Sequence, residues 1–171
     1  MRPAFLYEVF YIKILVFDQS TRKTGWAVFC KYELREHGLI DCDIKSIEPQ
    51  ERFESMCKAV CNLIARVKPE FVVLEGVAFQ RNAATLIELA QLQGVIAGEC
   101  YRGQIEFYIY PPSSWRKDLG FKQGHLKRAE LKELALRYVE DVYGMKPEED
   151  LAEAICIGAA FLKTYYKEKD E

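Results

Sequence analysis

One carboxylate interrupts an otherwise apolar segment near the C-terminus of the chain. Residues 151–162 read LAEAICIGAAFL, and Glu153 is the only charged side chain among them. A helix that is apolar on all its faces is normally buried, and a buried carboxylate is costly unless it is paired or binds a metal ion. Asp150 directly precedes this segment and lies three residues from Glu153, so the two acids share one helix face. The sequence therefore predicts a buried helix whose two acids serve chemistry rather than packing.

Two further acids end strand-like segments earlier in the chain. Residues 12–17 form a short β-rich run that ends at Asp18, and the continuous apolar run 71–74, typical of a buried central strand, ends at Glu75. These two strands need crossover connections, so we expect them to be adjacent and parallel. Functional sites in open α/β sheets gather at the carboxyl ends of strands. The chain thus offers four carboxylates that could hold one or two divalent cations: Asp18, Glu75, Asp150 and Glu153.

The element pattern predicts an α/β fold with a mixed five-stranded sheet flanked by helices. Periodicity and turn residues place the strands at about 12–17, 25–31, 32–47, 71–74 and 104–110. Helices are predicted at about 49–67, 82–101 and 126–143, and a last helix should carry Pro147 in its first turn. The segment between Pro111 and Leu126 reads as a basic loop, and the tail from Lys163 reads as solvated and frayed.

Composition limits the classes of function. A chain of 171 residues that is half hydrophobic fits a single domain over residues 1–171. Six cysteines without a Cys-x-x-Cys pair indicate buried thiols in a reducing compartment. With no recognisable signal segment, we expect a cytoplasmic protein. The net charge of −2 excludes a uniformly basic nucleic-acid binder, but residues 113–137 carry seven Lys/Arg against three acids, a local net charge of +4.

These stretches resemble the Holliday-junction resolvases of the RuvC family, in the ribonuclease-H-like superfamily. The matching segments are ILVFDQSTRKTGWA (residues 14–27), VVLEGV (72–77) with Asn82 beyond it, and DLAEA (150–154). They are similar, in order, to the family's strand-one aspartate with its Thr-Gly turn, its strand-four glutamate and its two final-helix acids. The resemblance covers nearly the whole chain and implies a ribonuclease-H-like nuclease domain.

The resemblance also implies roles for the four acids. Asp18 would bridge two Mg²⁺ ions, for which Mn²⁺ should substitute, Glu75 would hold one of them, and Asp150 with Glu153 would hold the other. This chain departs from the pattern in having glutamate at position 153, where bacterial enzymes use aspartate and others use histidine. In the loop after Glu75, a gap-free alignment places Ala78 where bacterial relatives carry a stacking phenylalanine, and Phe79 follows it. These departures are typical of a phage-type or Firmicute-type variant.

Several side chains are candidates for contacts with DNA. Lysines and arginines of the basic segment could bind backbone phosphates, and an aromatic side chain could stack on an unpaired base. The candidates are Phe79, Arg81, Lys117, Lys122, Lys127 and Arg128. We assign Lys132 and Arg137 to a solvated helix face and Trp115 to the core, and no role follows for His37 or His125. The resemblance further implies a homodimer through the helix from about Asn82 to Tyr101, since paired nicks need two active sites.

Alternative functions remain open at this point. A ribonuclease-H-like nuclease that processes RNA would carry a similar set of acids. A non-catalytic nucleic-acid-binding relative would not need all four carboxylates. A phosphotransferase is disfavoured: residues 18–21 resemble the first phosphate loop of sugar kinases, but 171 residues leave no room for the second domain such enzymes need.

Overall fold

The computed structural model describes residues 12–77 and 82–170, with side chains described as far as residue 165. Five strands and five helices occur in these ranges. The strands are β1 (Lys13–Asp18), β2 (Lys23–Cys30), β3 (Glu33–Asp41), β4 (Phe71–Glu75) and β5 (Glu106–Tyr110). The helices are α1 (Pro49–Val67), α2 (Ala83–Arg102), α3 (Pro112–Asp118), α4 (Arg128–Tyr143) and α5 (Glu149–Asp170).

The strands form one mixed sheet in the order β3-β2-β1-β4-β5. Strands β1 to β3 are antiparallel, whereas β1 pairs in parallel with β4, and β4 pairs in parallel with β5. The central strands are apolar along their length because both faces of the sheet are covered. This arrangement confirms the predicted mixed five-stranded sheet and the parallel pairing of β1 with β4.

Two apolar cores lie on opposite faces of the sheet. Helices α1 and α2 cover one face with residues such as Met56, Val60 and Leu92, which are fully buried. Helix α5, supported by α3 and α4, covers the other face with residues such as Ile155 and Ala160. Glycine at two positions allows α5 to lie close to β2. A Cβ atom on Gly25 would stand 2.0 Å from the backbone oxygen of Asp150, and one on Gly158 would stand 2.2 Å from the ring of Phe29.

The structure corrects several expected boundaries. Helix α3 lies in the segment expected to be a loop, because Pro112 opens a helix instead of only ending the preceding strand. Strand β3 stops at Asp41, and α4 starts at Arg128. The expectation for Pro147 is wrong, since α5 starts at Glu149. The expected fraying from Lys163 is also wrong: α5 continues to Asp170, and the Tyr165 ring stacks on Phe161 with centroids 5.6 Å apart. No helix in the described ranges is long and apolar enough to cross a membrane.

The first prediction concerns the contact between Gly25 and helix α5. Gly25→Ala places a methyl group against the Asp150 backbone, which cannot move like a side chain, so we expect a loss of about 1–3 kcal/mol in the free energy of unfolding. Chemical denaturation measures this loss. Gly103→Ala is the control, because its Cβ would lie 3.2 Å from the flexible end of Ile105. Equal stabilities for the two variants would contradict the proposed close packing.

Candidate active site

The four predicted carboxylates line one pocket of about 390 Å³ at the carboxyl ends of β1 and β4. Asp18 ends β1, Glu75 ends β4, and Asp150 and Glu153 project from the first turns of α5. The parallel pairing of the two strands brings Asp18 beside Glu75. The packing of α5 across the sheet brings Asp150 and Glu153 to the same place. Three separate segments of the chain thus meet at one site, as the sequence predicted.

Burial raises the pKa values of three of the acids in the pocket, Asp18, Glu75 and Asp150. Burial raises the pKa of Asp18 well above its usual value, and repulsion from Glu75, Glu153 and Asp150 adds to the shift. The pKa of Glu75 is raised by burial as well, although its hydrogen bond to Trp115 opposes the shift. Burial also raises the pKa of Asp150, against the influence of Lys132 and Lys23. A site with these properties favours a cation, because positive charge would stabilise all the ionised forms together.

Helix α3 places two side chains against the carboxylates. Trp115 is fully buried, and its Nε1 donates a hydrogen bond to Oε1 of Glu75 at 2.8 Å. The neighbouring Arg116 stacks on the Trp115 ring with its guanidinium carbon 4.6 Å from the centroid. Its Nη2 lies 2.9 Å from Oε1 of Glu153 and 3.6 Å from Oε1 of Glu75. Glu153, only 6% exposed, therefore has a cationic partner within the protein.

A second cation lies within 4.0 Å of one of the pocket acids, Asp150. Lys132 of α4 is 2.6 Å from Glu149 and 4.0 Å from Asp150, and its side chain is 19% exposed. The expectation that Lys132 lies on a solvated helix face is therefore wrong. Arg137 does lie on such a face, where it pairs with Glu133 one turn away.

The donor set fits a hard divalent cation, which prefers carboxylate oxygens. As the side chains stand, however, no group of three or more Asp, Glu, His or Cys residues in the described ranges is arranged to hold a metal ion. Two of the acids, Glu153 and Glu75, have an oxygen 2.9 Å and 3.6 Å from Nη2 of Arg116. The residue types therefore suit a metal ion, and two of them also contact a cation of the protein itself.

Comparison with known proteins identifies the family of this fold and site. The family model described as "Crossover junction endodeoxyribonuclease RuvC" matches residues 14–160. The chain belongs to the RuvC family. The predicted family and the predicted class of enzyme are thereby confirmed.

Individual RuvC relatives share about a quarter of the sequence over most of their length. The crossover junction endodeoxyribonuclease RuvC of Halothermothrix orenii is 25% identical over 89% of this chain and 93% of its own. The protein of the same name from Caldicellulosiruptor saccharolyticus is 21% identical over 85% of this chain and 89% of its own.

Solved structures with the same fold include two Holliday-junction proteins. The structure described as "T. thermophilus RuvC in complex with Holliday junction substrate" superposes with a TM-score of 0.74 at 17% identity, covering 92% of this chain and 96% of the other. The yeast mitochondrial Holliday junction resolvase Ydc2 superposes with a TM-score of 0.64 at 11% identity, covering 94% of this chain and 81% of the other. These similarities confirm the ribonuclease-H-like RuvC fold.

The predicted DNA contacts divide into three groups in this RuvC-family structure. Arg128 lines the pocket at the start of α4. Lys117, Lys122 and Lys127 are exposed, on α3 and on the connection from α3 to α4. Phe79, Arg81 and the neighbouring Ala78 lie outside the described residues.

Sequence reasoning missed the site roles of Arg116 and Lys132. Trp115 was expected in the core and lies there, but its hydrogen bond to Glu75 was not foreseen. A signal for Arg116 existed, since a buried Glu153 in an apolar helix requires a partner. The sequence alone did not show that a helix begins at Pro112 and turns Arg116 toward that partner.

The second prediction tests the ion pair between Glu153 and Arg116. Glu153→Gln leaves the mostly buried guanidinium of Arg116 without the negative charge of its 2.9 Å partner. We expect a loss of about 2–4 kcal/mol in chelator, measured by denaturant unfolding. Glu133→Gln, which breaks the exposed pair with Arg137, should cost no more than about 0.5 kcal/mol. A Glu153→Gln protein as stable as wild type would refute the pairing.

Proposed function

We propose that this chain is a metal-dependent endonuclease that resolves four-way (Holliday) or other branched DNA junctions by paired nicks. The observation that carries the proposal is the convergence of Asp18, Glu75, Asp150 and Glu153 from β1, β4 and α5 in one pocket. Membership of the RuvC family supports DNA junctions as the substrate. One domain spanning the chain would supply one active site.

The proposed chemistry is hydrolysis of a phosphodiester bond. Two Mg²⁺ ions, when bound, would stabilise negative charge on the attacking and leaving oxygens and activate a water molecule. Asp18, which is close enough to the other three acids for each of them to raise its pKa, would hold metal together with them. Glu75 would complete one metal position, and Asp150 with Glu153 the other. Trp115 would orient Glu75 through its hydrogen bond to Oε1.

DNA would approach over the surface formed by α3 and the start of α4. Lys117, Lys122 and Lys127 are exposed there, and Arg128 extends this positive surface into the pocket. Phosphates on either side of the scissile bond are the matching partners for these side chains. Phe79 and Arg81 belong to the connection between Glu75 and α2, so we propose that they contact the centre of the junction.

Helix α2 presents the surface that we propose for a homodimer. Residues at helical spacing leave a strip of apolar and small side chains exposed: Ala83, Ile87, Ala90, Gly94, Gly98 and Tyr101. An exposed apolar strip is unfavourable in a monomer, whereas a two-fold dimer would bury it. Such a dimer would also position two active-site pockets to cut the two opposed strands of a junction. Leu89, by contrast, lines the active-site pocket.

The third prediction tests the reaction and its metal. Asp18→Asn and Glu75→Gln should abolish nicking of a labelled four-way junction in Mg²⁺, a loss of at least about 10³-fold, while junction binding persists. Mn²⁺ should replace Mg²⁺, and Ca²⁺ should support binding with little cutting, because it tolerates looser geometry. Linear duplex and an RNA–DNA hybrid serve as comparison substrates. Preferred cleavage of the hybrid would favour the RNA-processing alternative, and binding without cutting by wild type would favour a non-catalytic relative.

The fourth prediction tests the dimer. Ile87→Asp places a charge on the exposed strip of α2, where the side chain is 56% exposed, and should yield monomers that no longer cut both strands within one encounter. Val142→Asp on α4, equally exposed at 55%, should remain dimeric. Analytical ultracentrifugation measures the oligomeric state of each variant. A supercoiled cruciform substrate distinguishes single nicks from paired nicks. A wild-type monomer with full paired cutting would contradict the proposal.

A further inference from the structure

We propose that Arg116 is a built-in counter-ion of the nuclease site, which a metal ion must displace from Glu75 and Glu153 in order to bind. The inference rests on the proposed function, because it takes these two glutamates as metal ligands. It adds that the metal ion and the Arg116 side chain of α3 compete for these two glutamates.

The position of the guanidinium carries the inference. A single nitrogen, Nη2, is 2.9 Å from Oε1 of Glu153 and 3.6 Å from Oε1 of Glu75, so it lies between acids that arrive from different elements. A Mg²⁺ ion would need carboxylate oxygens at about 2.0–2.1 Å. One oxygen of each glutamate, Oε1, is directed at Arg116 instead.

The Arg116 side chain is held in place although not all of its hydrogen-bond donors have partners. Its guanidinium stacks on Trp115, and Trp115 donates its Nε1 hydrogen to the same Oε1 of Glu75 that Arg116 approaches. The Nε atom of Arg116 is buried and has no hydrogen-bond partner among the described residues. A permanent structural ion pair would be expected to use more of the five guanidinium donors. Arg116 therefore has an anchor, Trp115, that persists when its carboxylate contacts are broken.

The other cations at the pocket do not share this position. Lys132 contacts Glu149 closely and Asp150 only at 4.0 Å. Arg128 lines the pocket and lowers the pKa of Glu75 from a distance, yet it makes no ion pair within the described part of the chain. Arg128 therefore provides a matched control, because its removal takes one positive charge from the same pocket without breaking a contact to a ligand.

The test is a calorimetric titration of the full chain with MnCl₂ in the absence of DNA. Wild type, Arg116→Gln and Arg128→Gln are compared, with Asp18→Asn as the weak-binding reference. Arg116→Gln should bind Mn²⁺ about tenfold more tightly than wild type, because the metal no longer displaces a charged hydrogen bond. Arg128→Gln should change the affinity by less than about threefold. Equal affinities for the two variants, or weaker binding by Arg116→Gln, would overturn the counter-ion role.

A second measurement follows metal binding in wild type and needs a variant only to assign one resonance. In protein labelled with ¹⁵N-arginine, the Nε–H resonance that is absent from an Arg116→Lys spectrum belongs to Arg116. This resonance should shift on saturation with diamagnetic Mg²⁺, while that of Arg137 remains fixed. An unmoved Arg116 resonance in a metal-saturated protein would overturn the inference and leave the proposed nuclease intact. Failure of wild type to bind Mn²⁺ or Mg²⁺ at all would overturn both.

Discussion

The close packing of helix α5 on strands β1 and β2 is the contact on which the site depends. The Asp150 backbone occupies the space where residue 25 would otherwise carry a Cβ atom, and the Phe29 ring fills the corresponding space at Gly158. Two glycines, one on the sheet and one on the helix, thus set the distance between these layers. Because Asp150 makes the first of these contacts and Glu153 lies between the two along α5, the same packing brings both acids to the strand ends that carry Asp18 and Glu75. Helix α5 is buried because its residues are apolar. The position in which it is buried determines where its two acids lie.

This packing carries an electrostatic cost that the surrounding structure offsets. Burial and repulsion raise the pKa of Asp18, since its ionised form must share a confined space with three other acids. The helix α3 reduces the cost for Glu75 and Glu153 by supplying Trp115 and Arg116. Lys132 does the same for Asp150 from α4. The protein's own cations therefore offset part of the cost of gathering four carboxylates in one pocket.

The sequence predicted those features that depend on local pattern. The apolar segment around Glu153 and the runs before Asp18 and Glu75 specified buried elements, and the crossover rule placed β1 beside β4. Features that depend on contacts distant in sequence were missed. Pro111 and Pro112 looked like a simple break after β5, whereas Pro112 starts the seven-residue helix α3, too short to show a clear periodicity. Likewise, nothing local to Lys132 indicates that α4 turns it toward Glu149 and Asp150 across the packing of α4 on α5.

The basic segment shows how a charge count and a charge distribution can differ. Residues 113–137 hold seven Lys/Arg, of which the sequence assigned Lys117, Lys122, Lys127 and Arg128 to DNA. Of the other three, Arg116 and Lys132 turn inward to the carboxylates, and Arg137 pairs with Glu133. The four that the sequence assigned are the ones we propose as DNA contacts. Because α3 carries both Arg116 and Lys117, one short helix presents a cation to the active site and another to solvent. Any movement of α3 on DNA binding would therefore reach Glu75 and Glu153 directly, through Trp115 and Arg116.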